Sequence, residues 1–192
     1  MTINRILFIS ASVILLIIIG LIIIFAGGGE EKPATDEEAL QPLREYSNTN
    51  AEVSFNQRGD INGQDQHREI LITISQFERR LDVISGYSGT IIKTQTFSNS
   101  LPAYRQFLAA LGDSGFLLKR PTTDAGADPL GKCPLGTLYE FELNDGGDVL
   151  SYLWTSGCSN AKGTFAGSSS TVQQLFKNQI TDYGELVSGV NL

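Results

Sequence analysis

The sequence is poor in the side chains on which most catalytic and metal sites depend. Its 192 residues include one histidine, two cysteines, one tryptophan and one methionine. A Ser-His-Asp or Cys-His arrangement would need His67, which follows Gly63-Gln64-Asp65-Gln66, a sequence typical of a solvated loop. Two isolated cysteines cannot form a four-ligand zinc site, and no C-x-x-C redox pair is present. We therefore predict no catalytic, cofactor-binding or metal-binding residue.

Positive charge is scarce as well. The chain has 14 Lys and Arg against 21 Asp and Glu, and its formal net charge is −7 at pH 7. This excess of negative charge repels phosphate backbones and anionic headgroups, which argues against nucleic acid as a partner.

The N-terminal region is the most informative feature that is present. Residues 6–26 form a run without any charged side chain. As a helix this run would extend roughly 30 Å, the thickness of the hydrocarbon core of a bilayer. Arg5 precedes the run and five acidic residues follow it between positions 30 and 38, so we predict a cytoplasmic stub at 1–5, a transmembrane helix at 6–26 and the rest of the chain outside the cell.

A cleaved secretory signal is the alternative interpretation of this region. Ala26-Gly27-Gly28 resembles a signal peptidase site, but the apolar core of a signal peptide usually has only about 7 to 15 residues. An uncleaved anchor is therefore favoured. No cysteine lies near Ala26, which argues against a lipid-anchored lipoprotein.

The composition changes sharply after the apolar run. Residues 27–50 are rich in glycine, acidic residues and proline, and are predicted to form an acidic linker. Residues 51–192 have the usual size of one independently folding domain.

Two stretches of alternating apolar residues predict β-hairpins. In the second, Asp145-Gly146 is the expected turn, which would place Phe141 opposite Leu150 and Tyr139 opposite Tyr152. The same register, continued outward, would place Cys133 opposite Cys158. Because opposed Cα atoms in neighbouring strands lie within about 5.5 Å of each other, we predict a disulfide between these two cysteines.

The first hairpin suggests an internal repeat. A turn between Phe77 and Glu78 would pair Ile72 with Val83, and its centre lies 68 residues before that of the second hairpin. The same offset aligns Thr96-Phe97 with Thr164-Phe165, which gives two related halves at about 51–118 and 119–187. The apolar faces of the two hairpins are out of phase, however, so the sequence leaves the repeat undecided.

Two helices follow from apolar residues at helical spacing. The first helix has Ser100 or Asn99 as its cap and the second follows Ser168. Further strands are expected near 52–58, 91–97 and 116–119. The predicted fold class is α+β: an antiparallel β-sheet with two helices on one face. The two apolar stripes comprise Leu101, Tyr104, Leu108 and Leu111, and Val172, Leu175, Phe176, Ile180 and Tyr183.

Several short motifs resemble functional signatures, but simpler interpretations are favoured. Asp124, Asp128, Asp145 and Asp148 do not follow the spacing of a calcium loop and suit turns. Arg58-Gly59-Asp60 matches the tripeptide of integrin ligands, a match that is common by chance. Residues 86–89 lack the lysine of a phosphate-binding loop and are expected to form a bend.

Five short runs of the chain resemble those of uncharacterised single-pass surface proteins of ultra-small, reduced-genome bacteria. The resemblance covers most of the predicted ectodomain and implies a bacterial, outward-facing protein. It brings no assigned activity, so no functional residue is carried over. The runs are Gly86-Tyr87, residues 103–108 through Gly115-Phe116, residues 133–136, Leu153-Trp154 before Cys158, and Leu175-Phe176 through Asp182-Tyr183.

Two classes of function follow from these observations. The favoured one is a membrane-anchored extracytoplasmic module that binds a protein partner at the cell surface or takes part in envelope assembly. The alternative is an envelope-associated hydrolase or hydrolase inhibitor, whose enzyme form would need paired carboxylates such as Glu140 and Glu142 beside a cleft. Since the two glutamates share one strand face with Val149, Ser151 and Leu153 expected alongside, a partly solvated surface is the simpler interpretation of them.

Overall fold

A computed structural model describes residues 40–192. The predicted cytoplasmic stub, the predicted transmembrane helix at 6–26 and the linker up to residue 39 lie outside the described residues. Within residues 40–192, no helix has both the length and the apolar character needed to cross a bilayer.

Six antiparallel strands form a single sheet in the order β4-β3-β2-β1-β5-β6. The predicted α+β class with an antiparallel sheet is confirmed. Short helices precede, interrupt and follow the strands. The strands are β1 (Ala51–Arg58), β2 (Arg68–Ser75), β3 (Glu78–Ser85), β4 (Thr90–Ser98), β5 (Leu138–Asp145) and β6 (Asp148–Ser156); the helices are a 3-10 helix (Leu43–Asn48), α1 (Leu101–Asp113), α2 (Asp124–Ala127), α3 (Ser169–Lys177) and α4 (Tyr183–Leu186).

One face of the sheet, which we call the helix face, carries the main hydrophobic core. Phe55 of β1 lies at its centre and is fully buried, between Ile72 of β2 and Phe141 of β5. Tyr104 of α1 donates a hydrogen bond to the Ala51 carbonyl at 2.8 Å and so attaches that helix to the end of β1. Both predicted helical stripes contribute to this core.

The folded unit starts earlier than the sequence predicted. Residues 43–48, which were assigned to the linker, form the 3-10 helix, and Leu43 and Tyr46 are buried in the main core. Pro42 immediately precedes this helix, which packs beside α1. The predicted linker at 27–50 therefore overlaps the folded unit, because its many polar residues conceal the two apolar side chains that pack into the core.

The predicted hairpin registers were also wrong. In the second hairpin, Gly146 and Gly147 form the turn, and Phe141 faces Leu153 instead of Leu150. Both glycines have positive φ, the backbone geometry that a tight hairpin turn requires, and a bulge then shifts the pairing by one residue. In the first hairpin, Ile72 faces Leu81 instead of Val83.

Two further elements differ from expectation. The segment predicted as a strand at 116–119 contributes only a single bridge, between Lys119 and Phe165. The second predicted helix divides in two, because α3 ends at Lys177 and Tyr183 begins α4 after a left-handed residue at Asp182. The internal repeat remains a prediction.

Candidate functional site

The opposite face of the sheet, which we call the open face, carries a network of charged side chains. Arg58 of β1 donates to Glu140 Oε1 of β5 at 3.0 Å, and its Nε lies 3.5 Å from Glu69 Oε1 of β2. Asn56 donates to Oε2 of both carboxylates, at 2.8 Å to Glu69 and 3.0 Å to Glu140. The Tyr152 hydroxyl donates to Glu140 at 2.7 Å. The two glutamates therefore converge on one amide and one guanidinium group.

The strand pairing explains why these residues meet. Asn56 and Arg58 lie two positions apart on the central strand β1, so both side chains point to the open face. Glu140 of β5 is directly opposite Asn56, and Glu69 of β2 is directly opposite Arg58. Glu140 and Glu69 thus approach β1 from its two sides.

The network shifts the ionisation of its members. Burial tends to lower the pKa of Arg58, but the two neighbouring carboxylates outweigh it and the net shift is upward. Burial, reinforced by Glu140, raises the pKa of the Tyr152 hydroxyl. Both shifts hold the network in one state, with Arg58 charged and Tyr152 protonated, at neutral pH.

His67 extends the network towards the end of the sheet. Its side chain is almost fully buried, with Nε2 3.2 Å from Glu69 Oε1 and Nδ1 3.1 Å from the Asp60 carbonyl oxygen. Because both partners are acceptors, only the doubly protonated ring can donate to both. The Tyr87 ring stacks on the imidazole at 4.1 Å. The expectation of a solvated loop at His67 was therefore wrong.

The predicted disulfide between Cys133 and Cys158 is confirmed, with a Cα–Cα distance of 5.6 Å. It joins the loop before β5 to the loop after β6, outside the strands. The strand pairing ends near Thr137 and Gly157, after which the chain turns and brings Cys158 back towards Cys133. The prediction of the bond was correct, but the register from which it was argued was not.

The disulfide belongs to a second, smaller core on the open face. Leu138, Trp154 and Ala161 pack with the two cysteines, and the Trp154 indole donates to the Ala127 carbonyl at 2.8 Å. Residues 126–137 therefore cover this end of the sheet. We call this region the disulfide cap.

A groove of about 230 Å³ lies where three loops meet beside the disulfide cap. The Ile61 N–H donates to the Pro134 carbonyl at 2.9 Å, which joins the β1–β2 loop to the loop before β5. Tyr87, from the turn after β3, bonds the backbone of Asn62 through its hydroxyl. The apolar walls consist of Ile61, Tyr87, Pro129, Leu130 and Leu138, and the groove is also lined by Arg58, His67 and Lys132.

A larger depression of about 430 Å³ lies on another side of the β1–β2 loop. Asp60, Asp65 and Arg68 line it together with residues near Leu192. It is open and its lining is mainly polar, whereas the first groove combines apolar walls with basic side chains. The smaller groove is therefore the better candidate for specific binding.

The residues singled out from sequence have other positions and roles. Glu140 and Glu142 share the open face, as expected, but Trp154 and Tyr152 lie opposite them. Ser151 and Leu153 belong to the helix face, and Val149 is opposite Asn144. Arg58 of the Arg-Gly-Asp tripeptide is engaged by carboxylates in the network. Among the described side chains, no group of three or more metal-ligating residues forms a cation site.

The bend at residues 86–89 is confirmed, and it is more than a connection. Gly86 and Gly89 both have positive φ, which lets the chain reverse between β3 and β4. The reversal places the Tyr87 ring over His67 and at the groove. Sequence reasoning missed Asn56, Glu69, Tyr87, Lys132 and Tyr152, although polar residues at every second position of β1 were a signal of a polar sheet face.

No protein-family model matches the chain, and no curated protein shows significant similarity to it.

Proposed function

We propose that the chain is a membrane-anchored, extracytoplasmic module that binds a protein partner at the cell surface or in envelope assembly. The observation that carries this proposal is the groove beside the disulfide cap. Its walls are apolar, and Leu130 on its edge is 77% exposed. Exposed apolar surface bordered by polar groups is typical of protein contact sites.

The chemistry of the open face also supports a binding role. The Glu69 and Glu140 carboxylates accept hydrogen bonds from Asn56, and Glu140 accepts further ones from Arg58 and Tyr152. These contacts hold the sheet face together. They use the groups that general acid or base chemistry would require to be free.

Photo-crosslinking in the cells that produce the protein tests this role. We would place benzoylphenylalanine at Leu130 and, as a control of matched exposure, at Phe77, which is 72% exposed at the β2–β3 turn. A discrete adduct at position 130 that is absent at position 77 supports the proposal. Identical adduct patterns at both positions, or none at either, would contradict it.

The anchor is a separate part of the proposal and rests on the apolar run at 6–26. The full-length protein should stay in the membrane fraction after alkaline and high-salt washing, because a spanning helix is held by its apolar surface. Recovery of a mature chain beginning between Gly27 and Glu30 would show that the segment is a cleaved signal.

The alternative function is an envelope hydrolase or an inhibitor of one. The observation that favours it is the convergence of Glu69 and Glu140 on a single Asn56 amide, which brings two carboxylates together on the open face. An enzyme of this kind would release soluble fragments from purified envelope polysaccharide, and Glu69→Gln would abolish that release. Unchanged release by the variant would rule out the pair as its catalytic groups.

A further inference from the structure

We infer that the groove beside the disulfide cap binds a segment of a partner polypeptide in which a large apolar side chain lies next to an acidic residue. This inference rests on the proposed binding function and specifies the chemistry of the partner. It follows from the size of the groove, the character of its walls and the charge of its lining.

The size of the groove limits its occupant. Pockets that enclose whole cofactors or drug-sized molecules usually measure about 300–1,000 Å³. The observed volume is about 230 Å³, which suits a single large side chain and its neighbours. Ile61, Leu130 and Leu138 offer that side chain an apolar environment.

The charge of the lining selects an acidic neighbour. Arg58 is paired with Glu69 and Glu140, and both ring nitrogens of His67 face acceptors within the protein. Lys132 differs: among the described side chains, no carboxylate or other acceptor bonds its ammonium group. An unpaired cation beside an apolar groove is complementary to a carboxylate carried next to an apolar side chain.

The loops that form the groove are fixed in place, which favours a specific binding site over apolar side chains that are exposed by chance. The disulfide fixes Cys133, the residue that follows Lys132, and the Ile61 to Pro134 hydrogen bond joins the same loop to the opposite wall. The Tyr87 hydroxyl fixes the third loop to Asn62. Because the groove is already formed, the protein loses little conformational entropy when a segment binds.

A selection experiment tests the inference. The full-length chain, purified in mild detergent and immobilised, is used to select binders from a library of random heptapeptides displayed on phage. We expect the selected peptides to be enriched in Asp or Glu adjacent to Leu, Ile, Phe or Trp. Lys132→Gln should weaken the binding of these peptides about three- to tenfold, the range expected when one partly exposed charge-assisted contact is lost.

The control variant is Arg44→Gln. It removes the same charge from an exposed position on the 3-10 helix, which precedes β1, whereas the groove lies beyond the other end of that strand. This variant should bind the selected peptides as the wild type does. Replacing the acidic residue of a selected peptide by its amide should weaken binding to the wild type but not to Lys132→Gln.

The outcomes separate this inference from the proposed function. Peptides without an acidic preference, or a preference that survives Lys132→Gln, would overturn the inferred chemistry while leaving a binding module. Lys132-dependent binding of short-chain phosphatidylglycerol without any peptide enrichment would assign the groove to lipid and also overturn it. Absence of a crosslinked adduct specific to position 130 in cells would instead count against the proposed function itself.

Discussion

The helix face and the open face of the sheet bury their side chains by different means. On the helix face, apolar residues such as Phe55 and Ile72 are covered by helices and by the C-terminal segment. On the open face, Asp82 and Glu140 are buried among polar side chains that bond them: Arg80 and Thr94 bond Asp82, and Arg58 bonds Glu140. Burial on the first face follows from hydrophobicity, whereas burial on the second depends on a complete set of partners.

The comparison also explains where the candidate site lies. The apolar helix face is fully occupied by the protein's own core and leaves little surface for a ligand. The open face carries the charge network around Arg58 and has the disulfide cap at one end. The groove forms at the boundary between these two, where apolar and charged side chains meet.

The largest effect is expected on the helix face. Phe55→Ala removes a fully buried ring that stacks against Phe141 and should lower the free energy of unfolding by about 3–5 kcal/mol. Denaturant unfolding followed by circular dichroism measures the loss. An effect below that of the disulfide variant described next would show that the two faces do not differ as argued.

The disulfide cap should contribute less. Replacing Cys133 and Cys158 by serine should lower stability by about 2–4 kcal/mol, since the bond closes a loop with a sequence separation of 25 residues. Trp154 is the only tryptophan and packs against the disulfide and the cap, so its emission should shift to longer wavelength as the cap loosens. A retained emission spectrum and unchanged stability would contradict a structural role for the bond.

The charge network should give a smaller, non-additive effect. Arg58→Met leaves Glu69 and Glu140 without their shared cation and should cost about 1–3 kcal/mol. The double variant with Glu140→Gln should cost less than the sum of the two single changes, because the pair is coupled. Arg80→Met is the control for coupling, because Arg80 pairs with Glu78 and Asp82 instead, so its effect should add to that of Glu140→Gln. Strict additivity of Arg58→Met and Glu140→Gln would refute the network.

The smallest effect concerns the pH dependence of Glu142. Burial, with help from Glu52 and Glu140, raises the pKa of this carboxyl in the folded protein above its ordinary value of 4.5. The folded state therefore binds the proton more tightly, so ionisation of Glu142 destabilises the protein, and the penalty is complete once the pH exceeds the raised pKa. The penalty develops as the pH rises from the unfolded towards the folded pKa, and it is absent below the unfolded one.

Glu142→Gln should consequently stabilise the protein at neutral pH by less than about 1 kcal/mol, and the gain should vanish on acidification below pH 4.5. Thermal unfolding across that pH range measures the difference. Glu45→Gln, on the exposed side of the 3-10 helix, controls for the change in net charge. A gain that persists at low pH would point to a cause other than ionisation.

Local patterns in the sequence identified most of the secondary structure. The strands expected near 52–58 and 91–97 match β1 and β4 closely, and the stripe that includes Tyr104 and Leu108 predicted α1. Strand pairing was less accessible, because the Gly146-Gly147 turn and the bulge at Leu150 move the register without changing the alternation. The predicted register therefore placed Tyr152 on the helix face and Leu153 on the open face, whereas the structure has them the other way round.

The candidate site was the least predictable part. Arg58, Glu69 and Glu140 come from three strands, and the groove adds Tyr87 and Lys132 from two separate loops. Their proximity depends on strand order, which places β5 beside β1 across a long stretch of chain. The polar residues at alternate positions of β1 are visible in the sequence, but nothing in the sequence indicates which residues of β2 and β5 they contact.

The sequence by itself determined the properties that depend on neighbouring residues and on composition. These are the uncharged apolar run at 6–26, the acidic balance, the class of fold and the pairing of Cys133 with Cys158, for which no other cysteine competes. The tertiary structure alone decided the strand register, the charge network on the open face and the groove with Lys132 at its edge. The physical reason is that hydrogen bonds and ion pairs act over a few ångströms, so they depend on how distant segments pack together.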